Sequence, residues 1–125
     1  MTRLKRQPMG LRQSSVVRSQ GHLQFVRGNV CCIAGKPGHD CAPGNSHAHH
    51  VQSYRAIEGG VGMKVGDDKV VPLCSTAHDE VHRIGQAAFE KKWSIDLESQ
   101  AGKEWKNDSY HKARWELKQR GEENE

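Results

Sequence analysis

Residues 70–85 have the sequence VVPLCSTAHDEVHRIG, and this stretch decides the fold. It begins with a short apolar run that is typical of a strand. It then continues into a segment in which His78 and His82 are four residues apart. Residues at this spacing lie on one face of a helix, one turn from each other, so both imidazoles can reach the same ion. The stretch therefore predicts a strand followed by a helix that offers two histidines to a metal.

A second pair of histidines, His49 and His50, lies upstream in residues 46–51, which we expect to be extended. Neighbouring side chains in a strand point to opposite faces. One member of the pair can therefore bind an ion that the helix pair also binds, while the other faces a substrate. A metal ligand beside a general base is the chemistry of a metal-dependent nuclease.

Composition predicts one domain with a flexible tail at each end, because the chain has 125 residues. A hydrophobic fraction of 34% and a mean hydropathy of −0.84 imply a small core, which a bound metal can reinforce. No apolar run is long enough for a membrane span or a secretion signal, so we expect a cytoplasmic protein without a membrane partner. In that compartment thiols stay reduced, and the four cysteines are more readily metal ligands than disulfides.

Charge is unevenly distributed along the chain. Residues 1–34 contain no acid, whereas residues 121–125 are acidic. The permanent cations of the first 34 residues are Arg3, Lys5, Arg6, Arg12, Arg18 and Arg27. Beside a metal site, such a basic arm predicts contacts with DNA phosphates, for which we single out Arg3, Lys5, Arg6 and Arg12. The alternative is a disordered terminus that serves only solubility.

Local signals predict three domain regions and several helices. The regions are a basic arm over 1–21, a catalytic domain over 22–95, and a C-terminal helix with an acidic tail over 96–125. Ser75 or Thr76 can cap a helix from about 77 to 83, which Gly85 ends. Further helices are expected over 86–93 and, capped by Asp96, from 97 toward 118. Residues 22–27 are expected to form a helical turn or a strand.

The order of strand, long connection, strand and helix, with histidines on the first strand and the helix, is the ββα-metal arrangement. On these residues the chain resembles the HNH endonuclease (His-Me finger) family over roughly residues 30–90. The motifs that carry the resemblance are 48–51, 64–67, 71–74 and 78–85. The run 72–85, with 88–90, is most similar to small phage and prophage nucleases, including those similar to the recombination-enhancement nuclease. The resemblance implies an α+β fold with added C-terminal helices, and DNA as the substrate. It also allows a recombinase filament or a phage packaging protein as a partner.

The resemblance also implies a role for each histidine of the site. His50 matches the general base that activates a water, while His49, His78 and His82 match the ligands of a divalent ion (Mg²⁺, Mn²⁺ or Zn²⁺). Three protein ligands leave coordination positions open for phosphate and water. His47 shares a face with His49 in a regular strand, so it is a ligand, an alternative ligand or a phosphate contact. His22 and His111 are interpreted as ordinary polar residues.

Cysteines predict a second, structural metal site. Many similar HNH proteins hold zinc with two Cys-x-x-Cys pairs, but Ala34 and Ala77 stand where two of those cysteines would be. Three thiolates and one imidazole can still bind zinc. The predicted structural Zn²⁺ ligands are Cys32, Cys41 and Cys74, with Cys31, His39 or His47 as further ligands. The alternative is that zinc has been lost and the cysteines are buried thiols.

Residues around the site have supporting roles. The family's asparagine before the second strand is absent, and Asp67-Asp68 occupies that region. Either aspartate can hold the loop through backbone N–H groups or orient His50. Phosphate contacts are expected from Lys64, Arg83, Arg55 and Lys69. Packing is expected from Trp93, Trp105 and Trp115, with stacking on bases as the alternative. The alternatives to a DNA nuclease are a zinc-stabilised DNA-binding module without catalysis and a nuclease directed at RNA.

Overall fold

A two-stranded antiparallel sheet lies at the centre of the fold, as predicted. The computed structural model describes residues 16–51 and 65–121. Strand β1 (His47–His50) pairs with β2 (Val70–Leu73), and the register places His49 opposite Val71 and His50 opposite Val70. Because side chains alternate along a strand, His49 and His50 lie on opposite faces of this sheet.

Five helices accompany the sheet in the described residues. They are α1 (Gln20–Arg27), α2 (Ser75–Ile84), α3 (Gln86–Trp93), α4 (Leu97–Asn107) and α5 (Ser109–Gln119). The protein is therefore a mixed α+β fold. Within residues 16–51 and 65–121, no helix has the length and apolar character needed to cross a membrane.

Each face of the sheet is covered by a different hydrophobic cluster. On the face of His50, α1 packs Leu23 and Val26 against Val70. On the face of His49, the strands and helices α2, α3 and α4 share the larger cluster. Its buried members are Cys31, Ile33, Val51, Val71, Leu73, Cys74, Ala77, Val81, Phe89, Trp93, Leu97 and Ala101. Burial of each large apolar side chain contributes about 1.5–3 kcal/mol, so this cluster fixes α2 against the sheet.

Helix boundaries confirm some predictions and correct others. Helix α3 has the predicted bounds. Helix α2 is capped by Cys74 instead of Ser75 or Thr76, because the Cys74 Sγ accepts a hydrogen bond from the Ala77 N–H at 3.5 Å. The single C-terminal helix predicted from residue 97 toward 118 is wrong. It is divided at Asp108, whose side chain caps α5 by accepting from the His111 N–H.

Several predicted residues lie outside the described part of the chain. These are the basic-arm residues Arg3, Lys5, Arg6 and Arg12, the phosphate contacts Lys64 and Arg55, and the acidic residues 122–125. The predicted boundaries between the three regions stay predictions.

Candidate metal centres

Three histidines converge between the sheet and helix α2. His49 comes from β1, and His78 and His82 from successive turns of α2. Each offers one ring nitrogen, and these nitrogens lie within 4.8 Å of one another. The Nε2 atoms of His78 and His82 are 3.1 Å apart, close to the ~3.4 Å that separates two imidazole ligands of one tetrahedral ion. This histidine cluster therefore has the geometry of a metal site.

The electrostatics of the histidine cluster favour neutral imidazoles. His49 is 2% exposed, and its buried Nε2 has no hydrogen-bond partner among the described residues. Burial and the neighbouring His78 and His82 lower the pKa of His49 to about 4. Burial, His82 and His47 also lower the pKa of His78. A buried nitrogen without a partner is costly, and a lone pair on a neutral ring is what a cation binds.

His47 lies beside the histidine cluster without belonging to it. Its Nδ1 is 2.9 Å from the Nδ1 of His78, and its side chain is exposed. If His78 presents Nε2 to an ion, its Nδ1 carries the proton and donates a hydrogen bond to the Nδ1 of His47. His47 is then placed to orient His78, and the three roles predicted for it stay predictions.

His50 faces the other side of the sheet and contacts a carboxylate. Its Nε2 is 3.0 Å from Asp67 Oδ1, while Asp67 Oδ2 accepts from the Ser19 N–H at 2.8 Å. Asp67 is buried, whereas the His50 side chain is 37% exposed. Asp67 thus contacts His50, one of the two alternatives predicted for an aspartate here, and its other oxygen binds the backbone at the N-cap of α1. Asp68 instead pairs with Lys69, at 2.9 Å.

Three cysteines and one histidine form a second convergence of ligand atoms. Cys31, His39, Cys41 and Cys74 offer atoms that all lie within 4.8 Å of one another. The His39 Nε2 is 3.9 Å from Cys31 Sγ, 3.4 Å from Cys41 Sγ and 3.5 Å from Cys74 Sγ. A tetrahedral zinc with one nitrogen and three sulfur ligands sets such distances at about 3.6 Å. This cysteine–histidine cluster therefore also fits a metal ion.

The membership of this cluster corrects the predicted set at one position. Cys31 belongs to it and Cys32 does not. The Cys32 N–H donates to the Pro72 carbonyl at 2.9 Å, so the backbone at Cys31 and Cys32 lies beside β2. In this position the Cys31 side chain lies close to Cys74. Burial, with a smaller effect from Cys31, raises the pKa of Cys32 to about 12 and keeps it a neutral thiol. Of the two histidines predicted as the remaining ligand, the cluster contains His39 and not His47.

The cysteines of the cluster differ in their ease of ionisation. Burial and the adjacent Cys31 and Cys74 raise the pKa of Cys41 to about 12. Burial opposes ionisation of Cys74, but hydrogen bonds from the backbone N–H groups of Ala77 and Ala42 outweigh it and lower its pKa. Neighbouring thiolates repel one another, and a cation bound between them offsets this electrostatic repulsion.

A buried group that the sequence interpretation missed lies between α1 and the α4–α5 junction. His22 is fully buried, and its Nδ1 is 2.8 Å from Asp108 Oδ2. His111 Nδ1 contacts the same oxygen at 2.9 Å. Trp105 packs edge-on against His22, in the packing role predicted for it. The interpretation of His22 and His111 as ordinary polar residues is therefore wrong. The only local signal was the three-residue spacing of Asp108 and His111.

The remaining predicted residues lie around the two clusters. Arg83 is exposed and follows His82 directly in α2. Trp93 is buried, lies edge-on to His39 with ring centroids 5.4 Å apart, and donates its Nε1–H to Glu80 at 2.7 Å. Trp93 therefore packs behind the cysteine–histidine cluster.

Comparison with known proteins places these clusters in a family. A family model described as "Protein of unknown function (DUF968)" matches residues 9–107. The "Uncharacterized protein YdfU" of Escherichia coli (strain K12) is 32% identical over 77 residues, which cover 62% of this chain and 19% of that protein. The chain thus matches about a fifth of the length of this relative. No solved structure matches.

Proposed function

We propose that this chain, which belongs to the DUF968 family, is a metal-dependent endonuclease of the HNH type that hydrolyses DNA phosphodiester bonds. One observation carries the proposal. The nitrogens of His49, His78 and His82 converge within 4.8 Å, and the next residue of the strand, His50, is held by a carboxylate on the opposite face. A purely structural metal site needs no carboxylate-bound imidazole beside its ligands.

The histidine cluster is the site for the catalytic ion. The unpartnered Nε2 of His49 and the lowered pKa values of His49 and His78 fit a cation bound by neutral imidazoles. Three imidazole donors suit Zn²⁺ better than Mg²⁺. When bound, a divalent ion offsets the charge that develops on the phosphate and on the leaving 3′ oxygen.

His50 is the general base of the proposed reaction. A neutral imidazole that donates Nε2–H to Asp67 carries its lone pair on Nδ1, which can take a proton from the attacking water. The His50 side chain lies at the end of β1 and is 37% exposed, so solvent reaches its ring. Arg83, exposed beside His82, supplies positive charge for the substrate phosphate.

The test is plasmid cleavage by His50→Ala with Mg²⁺, Mn²⁺ or Zn²⁺. We expect the rate to fall about 10²- to 10⁴-fold, the usual contribution of a general base, while the bound metal stays unchanged by elemental analysis. His82→Ala is the matched variant, because it should lose both cleavage and one equivalent of metal. A folded His50→Ala protein that cleaves at the wild-type rate contradicts the assigned mechanism.

The cysteine–histidine cluster is proposed to hold a structural Zn²⁺. Three thiolates and one imidazole are an ordinary donor set for tetrahedral zinc. Bound there, the ion ties the loop that carries His39 and Cys41 to the start of α2. This cluster also favours one alternative function, a zinc-stabilised DNA-binding module without catalysis. That alternative predicts DNA binding with no cleavage in the wild-type protein.

A further inference from the structure

A cavity of about 460 Å³ lies between the start of α1 and helix α5. Arg18 borders it on one side, and Tyr110, Arg114, Trp115 and Lys118 border it on the other. Three permanent cations and two aromatic rings thus share one concave surface. None of the described residues that line it carries a carboxylate. The surface therefore combines positive charge with aromatic faces.

Helix α5 presents these side chains along one face. Tyr110, Arg114 and Lys118 follow one another at four-residue spacing, which aligns them on successive turns. The Arg114 guanidinium lies 5.8 Å from the centre of the Tyr110 ring. Tyr110 is 65% exposed, and α5 has no buried residue. Tyr110 and Lys118 on this face are therefore exposed to solvent.

Two of these side chains are available to a ligand. Trp115 is half-buried and also lines a neighbouring cavity of about 410 Å³, so its indole is not enclosed on all sides. Within the described residues, Lys118 has no carboxylate partner, whereas Lys112 on the same helix pairs with Glu116 at 3.0 Å. An ammonium group without a carboxylate partner can bind a phosphate, and an accessible indole can stack on a base.

We propose that this cavity binds a nucleotide of single-stranded DNA, with its phosphate on the cations and its base against Trp115. A concave site with an aromatic wall suits an unstacked base, which a duplex does not offer. Arg18 and Lys118 neutralise the backbone without reading sequence. The choice of DNA rests on the proposed nuclease function. The cavity and its chemistry do not depend on that function.

The cavity is linked to His50 through a short chain of contacts. Ser19 lines the cavity, and its N–H donates to Asp67 at 2.8 Å. Asp67 in turn contacts His50 at 3.0 Å. Ser19 thus connects the wall of the cavity to the carboxylate that holds the proposed general base.

The test measures fluorescence anisotropy of a labelled 15-nucleotide strand with the full chain and no added divalent ion. Trp115→Leu should weaken binding about 5- to 100-fold, the usual effect of losing one base–aromatic stack. Lys118→Gln should weaken binding and reduce the slope of log K against log salt by about 0.7, the value for one phosphate on a single strand. Lys112→Gln, on the same helix outside the cavity, is the matched control and should bind as wild type does.

Several results would overturn this proposal. One is wild-type affinity in both Trp115→Leu and Lys118→Gln, and another is an equal loss in Lys112→Gln. Competition by deoxyadenosine monophosphate at the affinity of the strand would assign the cavity to free nucleotides. A larger loss of duplex binding than of single-strand binding in Trp115→Leu would overturn the single-strand assignment, and a larger loss of binding to RNA of the same sequence would overturn the DNA assignment. Because no step requires cleavage, failure of the nuclease proposal leaves this binding test unaffected. Lys118 is exposed, so its variant remains informative if Trp115→Leu unfolds.

Discussion

At the scale of single residues, two adjacent histidines have opposite environments. His49 is buried among other imidazoles, whereas His50 is partly exposed and contacts Asp67. The alternation of a strand produces this difference, since consecutive side chains enter different faces of the sheet. The chemistry proposed for each histidine follows from its surroundings. His49 is a buried, neutral metal ligand on one face of the sheet, and His50 is a solvent-accessible base on the other.

Asp108 offers a residue-scale prediction about pH. Burial raises its pKa, but hydrogen bonds from His22 and His111 outweigh this and lower the pKa below its ordinary value of 3.8. The ionised carboxylate therefore stabilises the fold above pH 3.8, and that stability is lost as the pH falls through the lowered value. We expect Asp108→Asn to lower the free energy of unfolding by about 1–3 kcal/mol at pH 7.

Urea unfolding of wild type and Asp108→Asn at pH 7 and at successively lower pH checks this expectation. The difference between the two proteins should shrink as the pH falls from 3.8, where the carboxylate of the unfolded chain gains its proton, through the lowered pKa of the folded protein. Asp96→Asn is the control, because Asp96 also caps a helix but is exposed, and asparagine caps equally well. A difference that stays constant with pH would show that Asp108 acts through its shape alone.

At the scale of elements, helix α1 approaches α5 closely at a glycine. A side chain at Gly21 would overlap the imidazole of His111, which Asp108 holds in place. Alanine normally stabilises a helix relative to glycine by about 1 kcal/mol. We expect the reverse for Gly21→Ala, a loss of about 1–3 kcal/mol in the free energy of unfolding, because the imidazole leaves no room for a methyl group.

A double-mutant cycle tests that close approach. In the His111→Ala background the obstacle is gone, so Gly21→Ala should become neutral or stabilising in urea unfolding. Gly102, in helix α4 with open space around it, is the control, and Gly102→Ala should stabilise the protein in both backgrounds. Equal effects of Gly21→Ala with and without His111 would contradict the packing argument.

The loop that precedes β1 and helix α2 meet at the cysteine–histidine cluster, which yields a second element-scale prediction. We expect Cys31→Ser to release one equivalent of zinc and to lower the thermal stability of the protein. Cys32→Ser, the adjacent cysteine outside the cluster, should keep the metal. Elemental analysis after gel filtration measures both variants. Loss of zinc from Cys32→Ser, with zinc retained by Cys31→Ser, would show that Cys32 and not Cys31 is the ligand.

At the scale of the whole molecule, Val17 and Ser19 belong to the fold. Val17 is buried and its carbonyl accepts from the Asp67 N–H at 2.9 Å, while the Ser19 N–H donates to the Asp67 carboxylate. These residues support the position of Asp67 and hence of His50. A truncation intended to test the basic arm must therefore end at residue 15.

Deletion of residues 1–15 is the whole-molecule prediction. It removes Arg3, Lys5, Arg6 and Arg12, so duplex DNA binding should weaken and depend less on salt. The slope should fall by about 0.9 for each phosphate that the arm no longer neutralises, and filter binding across a salt series measures it. Val17 and Ser19 remain to hold Asp67, and thermal unfolding checks that the truncated protein is folded. An unaltered salt slope would exclude the arm from DNA binding.

Periodicity and spacing determined much of this protein from the sequence. The strand over 70–73 and the helix over 86–93 follow from local sequence patterns. Alternation in a strand and the turn of a helix grouped one member of the pair His49 and His50 with His78 and His82, and the resemblance to HNH nucleases selected His49. These are local regularities, since each relates residues within one element or in two elements that pair directly. Such patterns can be recognised in a sequence because the geometry of a helix or strand fixes the spacing of residues on one face.

Only the tertiary structure decided which distant segments meet. Cys31 and Cys32 look equivalent in the sequence. Cys31 lies in the same cluster as Cys74 because the backbone N–H of Cys32 donates to the Pro72 carbonyl. His22 and Asp108 are 86 residues apart, and packing of α1 against the α4–α5 junction brings them together. No local pattern encodes such meetings, because they depend on how hydrophobic faces pack. The sequence alone thus determined the two strands, helices α2 and α3 and the kinds of metal ligand that the chain offers, and packing decided which side chains meet.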